Sequence, residues 1–287
     1  TNLSQDHLDF HKDMEDYFAA KAKLFTFEYA DLAVINLDDP YGKRLAAQTE
    51  LPVVTLSRLD TTATWHYASI ASDYVGASVS IRGSGGILIE GKTALHGGFN
   101  YDNLLMAVAI AVESGIDPID IAAILPTLTG AVGRLEAVRL GQNFTALVDY
   151  AHSPDAVKRV LETAAEITDG KVIAVLGCGG DRDKTKRTLM GQALHEGADI
   201  AIYTSDNPRS EKAEDILVQM VLDIDVVPPS EVIVDRAQAI RTAVNLAKAG
   251  DVVMVLGKGH EKGQEINGQI HEFDDRIELA KAIEDKK

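Results

Sequence analysis

Four apolar runs late in the chain, Val172–Leu176, Ile200–Thr204, Val232–Val234 and Val252–Leu256, alternate with segments of helical period, and an earlier run, Phe144–Val148, precedes them. Short, continuous apolar runs separated by helices specify strands buried on both faces, which is a doubly wound α/β sheet. Ligands of such sheets bind outside the carboxyl ends of the strands. Polar and glycine clusters sit at those ends: Asp149-Tyr150-Ala151-His152, Gly177-Cys178-Gly179-Gly180-Asp181-Arg182, Ser205-Asp206-Asn207-Pro208-Arg209 and Gly257-Lys258-Gly259-His260-Glu261. Four clusters at one end of one sheet predict a binding crevice. Its charges are mixed, with Arg182 and Arg209 set against Asp206 and Glu261. A ligand bearing both carboxylate and ammonium groups suits that mixture better than a nucleotide does.

The third cluster is the most informative. Asp199 to Thr204 reads as a buried strand and Ser205 to Pro208 as a turn. A helix is expected next, with Asn207 as N-cap and Pro208 at its first position. Arg209 then falls in the first helical turn, where the helix dipole disfavours a cation. Either a ligand carboxylate resolves that conflict, or Arg209 pairs with Asp206 or Glu211.

The earlier part of the chain is also α/β. Leu32–Leu37 and Val53–Leu56 read as strands flanking a helix of about ten residues, a unit that implies parallel pairing. From Ala68 to Leu95 the pattern alternates, and Gly83, Gly85 and Gly86 mark a hairpin turn, so an antiparallel appendage is expected there. A long apolar helix runs to about Ser114 with Asn100 and Asn103 near its entrance. These side chains serve as caps, or as paired donor and acceptor groups on a purine edge. A further helix spans Ile119–Leu125. Arg134 sits in a glycine-flanked, exposed bend, and the domain boundary is placed near Val138, giving domains of 1–138 and 139–287. At the other end, helical spacing runs from Met14 to Phe27. His7 and His11, with Asp6 and Asp9, offer oxygen and imidazole ligands suited to Mg²⁺ or Mn²⁺, or else simply a solvated helix start.

Composition narrows the function classes. A net charge of −16 argues against nucleic acid or an anionic membrane as main partner. The single cysteine, Cys178, excludes an intrachain disulfide framework and favours the cytosol. The longest apolar run, Leu104 to Val112, is too short to insert across a bilayer. The start, T-N-L-S-Q-D-H, has no basic region, apolar signal core or initiator Met, and reads as the edge of the C-terminal part of a longer chain. The phosphate-loop pattern G-x-x-x-x-G-K-[ST] occurs nowhere, and no G-x-G-x-x-G follows a strand, which removes a dinucleotide dehydrogenase from consideration.

Collinear motifs along nearly the whole chain resemble one family, the Mur ligases of peptidoglycan synthesis, and within it the branch that adds the third residue of the peptide. These are T-N-L-S-Q-D-H-L-D-F-H, A-A-K, N-L-D-D, G-x-F-N-x-x-N, G-R-L-E, D-Y-A-H-S-P-D-A, G-C-G-G-D-R-D-K-T-K-R, S-D-N-P-R-S-E and G-K-G-H-E. The resemblance implies the later part of a P-loop-type central ATP-binding domain, followed by a Rossmann-like C-terminal domain that binds the amino acid. It implies an ATP-dependent amide ligase that phosphorylates the D-glutamate carboxylate of UDP-MurNAc-L-Ala-D-Glu and then joins an amino acid to the acyl phosphate. The implied cofactors are ATP and Mg²⁺, and the implied setting is a cytoplasmic monomer. By motif, His7 would be a metal ligand, and Lys21 a second one if carbamylated, the alternative being a plain surface lysine. Asn100, Asn103, Arg134, Asp149 and His152 would hold the nucleotide. Arg182, Asp206, Asn207, Arg209, Gly257 and Glu261 would form the amino-acid pocket. D-N-P-R is the form that resembles meso-diaminopimelate enzymes, where the Arg forks onto the distal carboxylate that lysine lacks. A lysine- or ornithine-adding ligase and a non-catalytic amino-acid-binding module are the alternatives. The family's N-terminal domain and its G-T-N-G-K-T loop have no counterpart in these 287 residues, so the chain by itself is expected not to turn over.

Overall fold

The computed structural model describes residues 1–3, 11–73 and 75–286. They divide into two compact units, one of Thr1–Ala71, Gly76–Thr93 and Gly98–Leu128, the other of Ser72–Val75, Ala94–Gly97 and Thr129–Lys287.

The first unit begins with α1 (Met14–Ala22), capped by the Asp13 carboxylate on the Asp16 amide. The expected helix to Phe27 stops at Ala22. Then come β1 (Ala33–Asn36), α2 (Pro40–Gln48), β2 (Val53–Ser57), β3 (Trp65–Asp73), β4 (Gly76–Arg82) and β5 (Leu88–Thr93). Asp39 caps α2 and Pro40 occupies its first turn, where proline's missing N–H removes no helical bond. β1 and β2 pair in parallel, as the strand–helix–strand reading requires. The alternating segment is not an appendage. β2 pairs with β3 in parallel, and the five strands form one sheet in the order β1-β2-β3-β4-β5. The β4–β5 pair has the expected antiparallel register, turning at Gly85 and Gly86. Trp65 is fully buried and covers Gly83, which is why the segment cannot stand away from the sheet. Two helices follow, α3 (Gly98–Glu113) and α4 (Pro118–Ile124).

The second unit contains β6 (Glu136–Ala137), β7 (Thr145–Asp149), α5 (Pro154–Glu166), β8 (Val172–Cys178), α6 (Thr185–Gly197), β9 (Ile200–Ser205) and α7 (Ala213–Met220). It continues with β10 (Glu231–Val232), α8 (Arg236–Leu246), β11 (Val252–Leu256), β12 (Gly263–Ile266), β13 (Gln269–Glu272) and α9 (Asp275–Lys286). The sheet order is β10-β9-β8-β11-β7-β6, with β6 alone antiparallel. Side chains alternate between two cores. Val172, Ala174 and Leu176 of β8 face α5, α6 and α7, whereas Ile173 and Val175 face α8 and α9. Both faces are covered, so the central strands are apolar throughout. Arg236, the first residue of α8, is fully buried. It pairs with Asp275 at 2.7 Å and donates to the carbonyls of Ser205 and Leu256, which tethers the carboxyl ends of β9 and β11.

Candidate functional site

The carboxyl ends of β7, β8, β9 and β11 open on one cavity of about 430 Å³. All four sequence clusters contribute to it. Its lining includes Tyr150 and His152, Cys178 and Arg182, Asp206, Asn207 and Arg209, and Gly257 and Glu261. α6 adds Arg187 and Met190, which the sequence reading did not assign to the site. Every expected amino-acid-pocket residue lines this cavity.

Its floor is a buried charge cluster. Asp206, Asn207 and Lys258 are all buried. The Lys258 ammonium donates to Asn207 Oδ1 at 3.0 Å and to Glu261 Oε2 at 3.1 Å, and lies 3.7 Å from Asp206 Oδ1. Asn207 Nδ2 also donates to Glu261 Oε2 at 2.9 Å. Burial raises the Asp206 carboxyl, opposed by Arg236 and Lys258. Burial also works to raise Glu261, but the hydrogen bond from Asn207 and the Lys258 charge hold it below its usual value. Gly257 has a left-handed φ of 110°, and a Cβ there would stand 2.7 Å from Asp206 Oδ2, so only glycine leaves that carboxylate its place.

Arg209 is not in a helix. Its φ is 53°, and α7 begins four residues later, at Ala213. The expected N-cap is already committed, because Asn207 Oδ1 accepts from Lys258 and from the Glu265 amide. Arg209 instead bridges β12: its amide donates to the Glu265 carbonyl at 3.0 Å, and the Asn267 amide donates to its carbonyl at 2.7 Å. The guanidinium donates from Nη1 to the Gly180 carbonyl at 2.7 Å, and Nε lies 3.2 Å from Glu265 Oε2. Neither Asp206 nor Glu211 is its partner. Glu211 belongs to Arg187, a buried residue of α6, through two hydrogen bonds of 2.7 and 2.9 Å. Arg182 is exposed at the cavity edge.

The residues expected to hold a nucleotide are placed unevenly. Asn100 is buried and Asn103 exposed on α3 of the first unit. In the second unit Asp149 is buried and spends its two oxygens on the Leu135 and Ala151 amides, each at 2.8 Å. Burial raises its carboxyl against those two bonds. Arg134 lies exposed over the Tyr150 ring, 5.2 Å from its centroid, and His152 packs on the same ring at 4.6 Å. The His152 Nδ1 is 2.9 Å from the Tyr150 carbonyl. A carbonyl only accepts, so Nδ1 carries the proton and the other ring nitrogen is left as an acceptor.

The metal expectation turns on residues that the structure does not describe. His7, Asp6 and Asp9 lie outside the described residues. His11 is 3.1 Å from the Asp16 carboxylate and stacked on Tyr17. Lys21 is exposed, its ammonium 5.5 Å from the Tyr17 ring centroid, and a cation is no ligand. Among the described residues no three His, Cys, Asp or Glu side chains converge on a metal position. The described residues alone do not compose a magnesium site. Among them, too, no helix is long and apolar enough to cross a membrane.

Comparison with known proteins agrees with this architecture. The family model of the Mur ligase middle domain matches residues 1–111, and that of the Mur ligase glutamate ligase domain matches residues 133–259. The UDP-N-acetylmuramoyl-L-alanyl-D-glutamate–2,6-diaminopimelate ligase of Streptomyces coelicolor is 47% identical over 99% of this chain and 57% of its own length. The ligase of the same name from Aquifex aeolicus is 44% identical over 96% of this chain and 56% of its own. A solved structure of a ligase of that name superposes with a TM-score of 0.76 at 40% identity, over 99% of this chain and 59% of that one. A Mycobacterium tuberculosis folylpolyglutamate synthase, solved with ADP and AMPPCP, shares the fold at 21% identity and a TM-score of 0.62. The chain thus spans little more than half the length of the relatives it matches. The two domain models together cover most of the chain, and they lead to one assignment: the chain belongs to the Mur ligase family.

Proposed function

We propose that this chain supplies the amino-acid pocket, and part of the nucleotide-binding domain, of a ligase that joins meso-diaminopimelate to UDP-MurNAc-L-Ala-D-Glu at the expense of ATP. Residues 1–138 then serve the nucleotide and 139–287 the amino acid. The observation that carries the reading is the convergence of Arg209, Asn207, Asp206 and Glu261 on one cavity, with a cation and carboxylates on the same walls. A zwitterion of two carboxylates and two ammonium groups matches such walls. Lysine, lacking the distal carboxylate, would leave Arg209 without a ligand partner, and an unmatched polar group in a site costs affinity.

In the reaction, ATP supplies the phosphoryl group that turns the glutamate carboxylate into an acyl phosphate, and attack by the amine expels phosphate. The chain's own part is positioning and charge matching. Arg209 and Arg182 hold carboxylates and Asp206 and Glu261 hold ammonium groups, while the Lys258 charge helps hold the Glu261 carboxyl below its usual value and opposes the rise that burial gives Asp206. Arg134, exposed over Tyr150, is a cation available to phosphate. His152, with its protonated Nδ1 fixed by the Tyr150 carbonyl, presents the other nitrogen as a proton acceptor.

Titration of the chain with meso-diaminopimelate, L-lysine and L-ornithine by NMR or thermal shift tests the reading. Response to diaminopimelate alone, lost in Arg209→Ala, supports it. Response to lysine or ornithine instead would replace the substrate.

A further inference from the structure

β12 runs alongside the loop that carries Arg209 and touches nearly every residue of it. Gln264 Nε2 donates to Ser205 Oγ and to the Asp206 carbonyl, at 2.9 and 2.6 Å. The Glu265 amide donates to Asn207 Oδ1 at 3.0 Å, and the Glu265 carbonyl accepts from the Arg209 amide. These contacts use backbone and the Gln264 side chain. The Glu265 carboxylate is left for a separate task, and it lies 3.2 Å from Arg209 Nε. It is 39% exposed and Arg209 is 22% exposed, and Glu265 does not line the cavity that Arg209 lines.

A guanidinium binds a carboxylate best through two parallel N–H donors. On Arg209 one terminal nitrogen is already given to the Gly180 carbonyl, and the Glu265 carboxylate forms an ion pair with the same guanidinium, 3.2 Å from Nε. A ligand carboxylate arriving at this group therefore meets a charge that is already partly neutralised. Resting on the pocket reading above, we propose that Glu265 is a competing carboxylate, an internal stand-in that sets how strongly Arg209 discriminates a ligand with a distal carboxylate from one without. The backbone clamp of β12 fixes the loop, and the Glu265 charge tunes the cation held by it.

Glu265→Gln separates the two roles. Gln keeps the side chain's size and the backbone contacts of Glu265 remain, while the charge is removed. Calorimetric titration of the whole chain with meso-diaminopimelate and with L-lysine, at low and high salt, reads the effect. Affinity for diaminopimelate is expected to rise roughly twofold to fivefold in Glu265→Gln, with no such gain for lysine. The gain should shrink at high salt, because a partly exposed charge is screened. Glu272→Gln, an exposed change on β13, controls for lowering the chain's overall negative charge and should leave both affinities unchanged. Unchanged or weaker diaminopimelate binding in Glu265→Gln, with the native chain still binding and Arg209→Ala still failing, overturns this proposal and leaves the pocket reading intact. A native chain that binds no diaminopimelate removes both.

Discussion

Glu211 receives both terminal nitrogens of Arg187, Nη2 on Oε1 at 2.7 Å and Nη1 on Oε2 at 2.9 Å, while the Asp181 amide donates to Oε1 at 2.7 Å. The pair joins α6 to the segment that follows Arg209, and the Asp181 loop is drawn in with it. Arg187, then the Asp181 amide, holds the Glu211 carboxyl at about 2 against an ordinary 4.5. A depressed acid contributes stability that is complete above its unfolded value and is lost as pH falls through the folded one. Thermal unfolding followed against pH should therefore show a stability loss between about pH 4.5 and 2 that is smaller in Glu211→Gln.

Gly180 is the point where the second and third pocket loops meet. Its amide donates to the Asn207 carbonyl at 2.8 Å, and a Cβ there would stand 1.9 Å from the Pro208 carbonyl oxygen. Gly180→Ala should push the two loops apart, costing about 1–3 kcal/mol in stability and weakening diaminopimelate binding. Denaturant titration and calorimetry read the two effects. Native-like values for both would mean that the loops slide freely.

Lys258 is fully buried with two carboxylates and Asn207 around its ammonium. Lys258→Met keeps most of the volume but leaves Asp206 without its nearest cation in the cluster. Breaking a buried ion pair from one side costs about 3–5 kcal/mol. Urea unfolding should show a loss of that order, and a double variant Lys258→Met with Asp206→Asn should recover part of it.

His96 is buried beside Arg139, with Nε2 3.3 Å from the guanidinium. Burial first, and the Arg139 charge second, lower its value from 6.5 to about 4. The unfolded chain takes up that proton below about pH 6.5 and the folded chain does not until about pH 4. Stability is thus lost as pH falls through this window. Replacing His96 by Gln should flatten the stability curve between those limits in a pH-resolved thermal melt.

The second sheet was legible because its strands are short apolar runs buried on both faces, and their polar ends marked the site before any geometry was known. Asn207-Pro208 is a strong local start signal, and by itself it predicts Arg209 in a helix. Tertiary contacts overrode it, since Lys258 and the Glu265 amide claim the Asn207 oxygen. The β12–β13 hairpin had a readable sign in Asn267-Gly268, both with positive φ, the pair favoured in two-residue hairpin turns. The buried pairs Arg187–Glu211 and Arg236–Asp275 had none, because residues 24 and 39 positions apart meet only through the fold. In the first unit the alternation of β4 and β5 was visible, whereas their joining to a parallel sheet through β3 was not.

A crystal structure of the chain grown with meso-diaminopimelate tests the central claim most directly. The ligand is expected in the cavity at the ends of β7, β8, β9 and β11, with one carboxylate within hydrogen-bond distance of the Arg209 guanidinium and an ammonium group against Asp206 or Glu261. A ligand bound away from Arg209, or one whose carboxylates meet neither Arg209 nor Arg182, would contradict it.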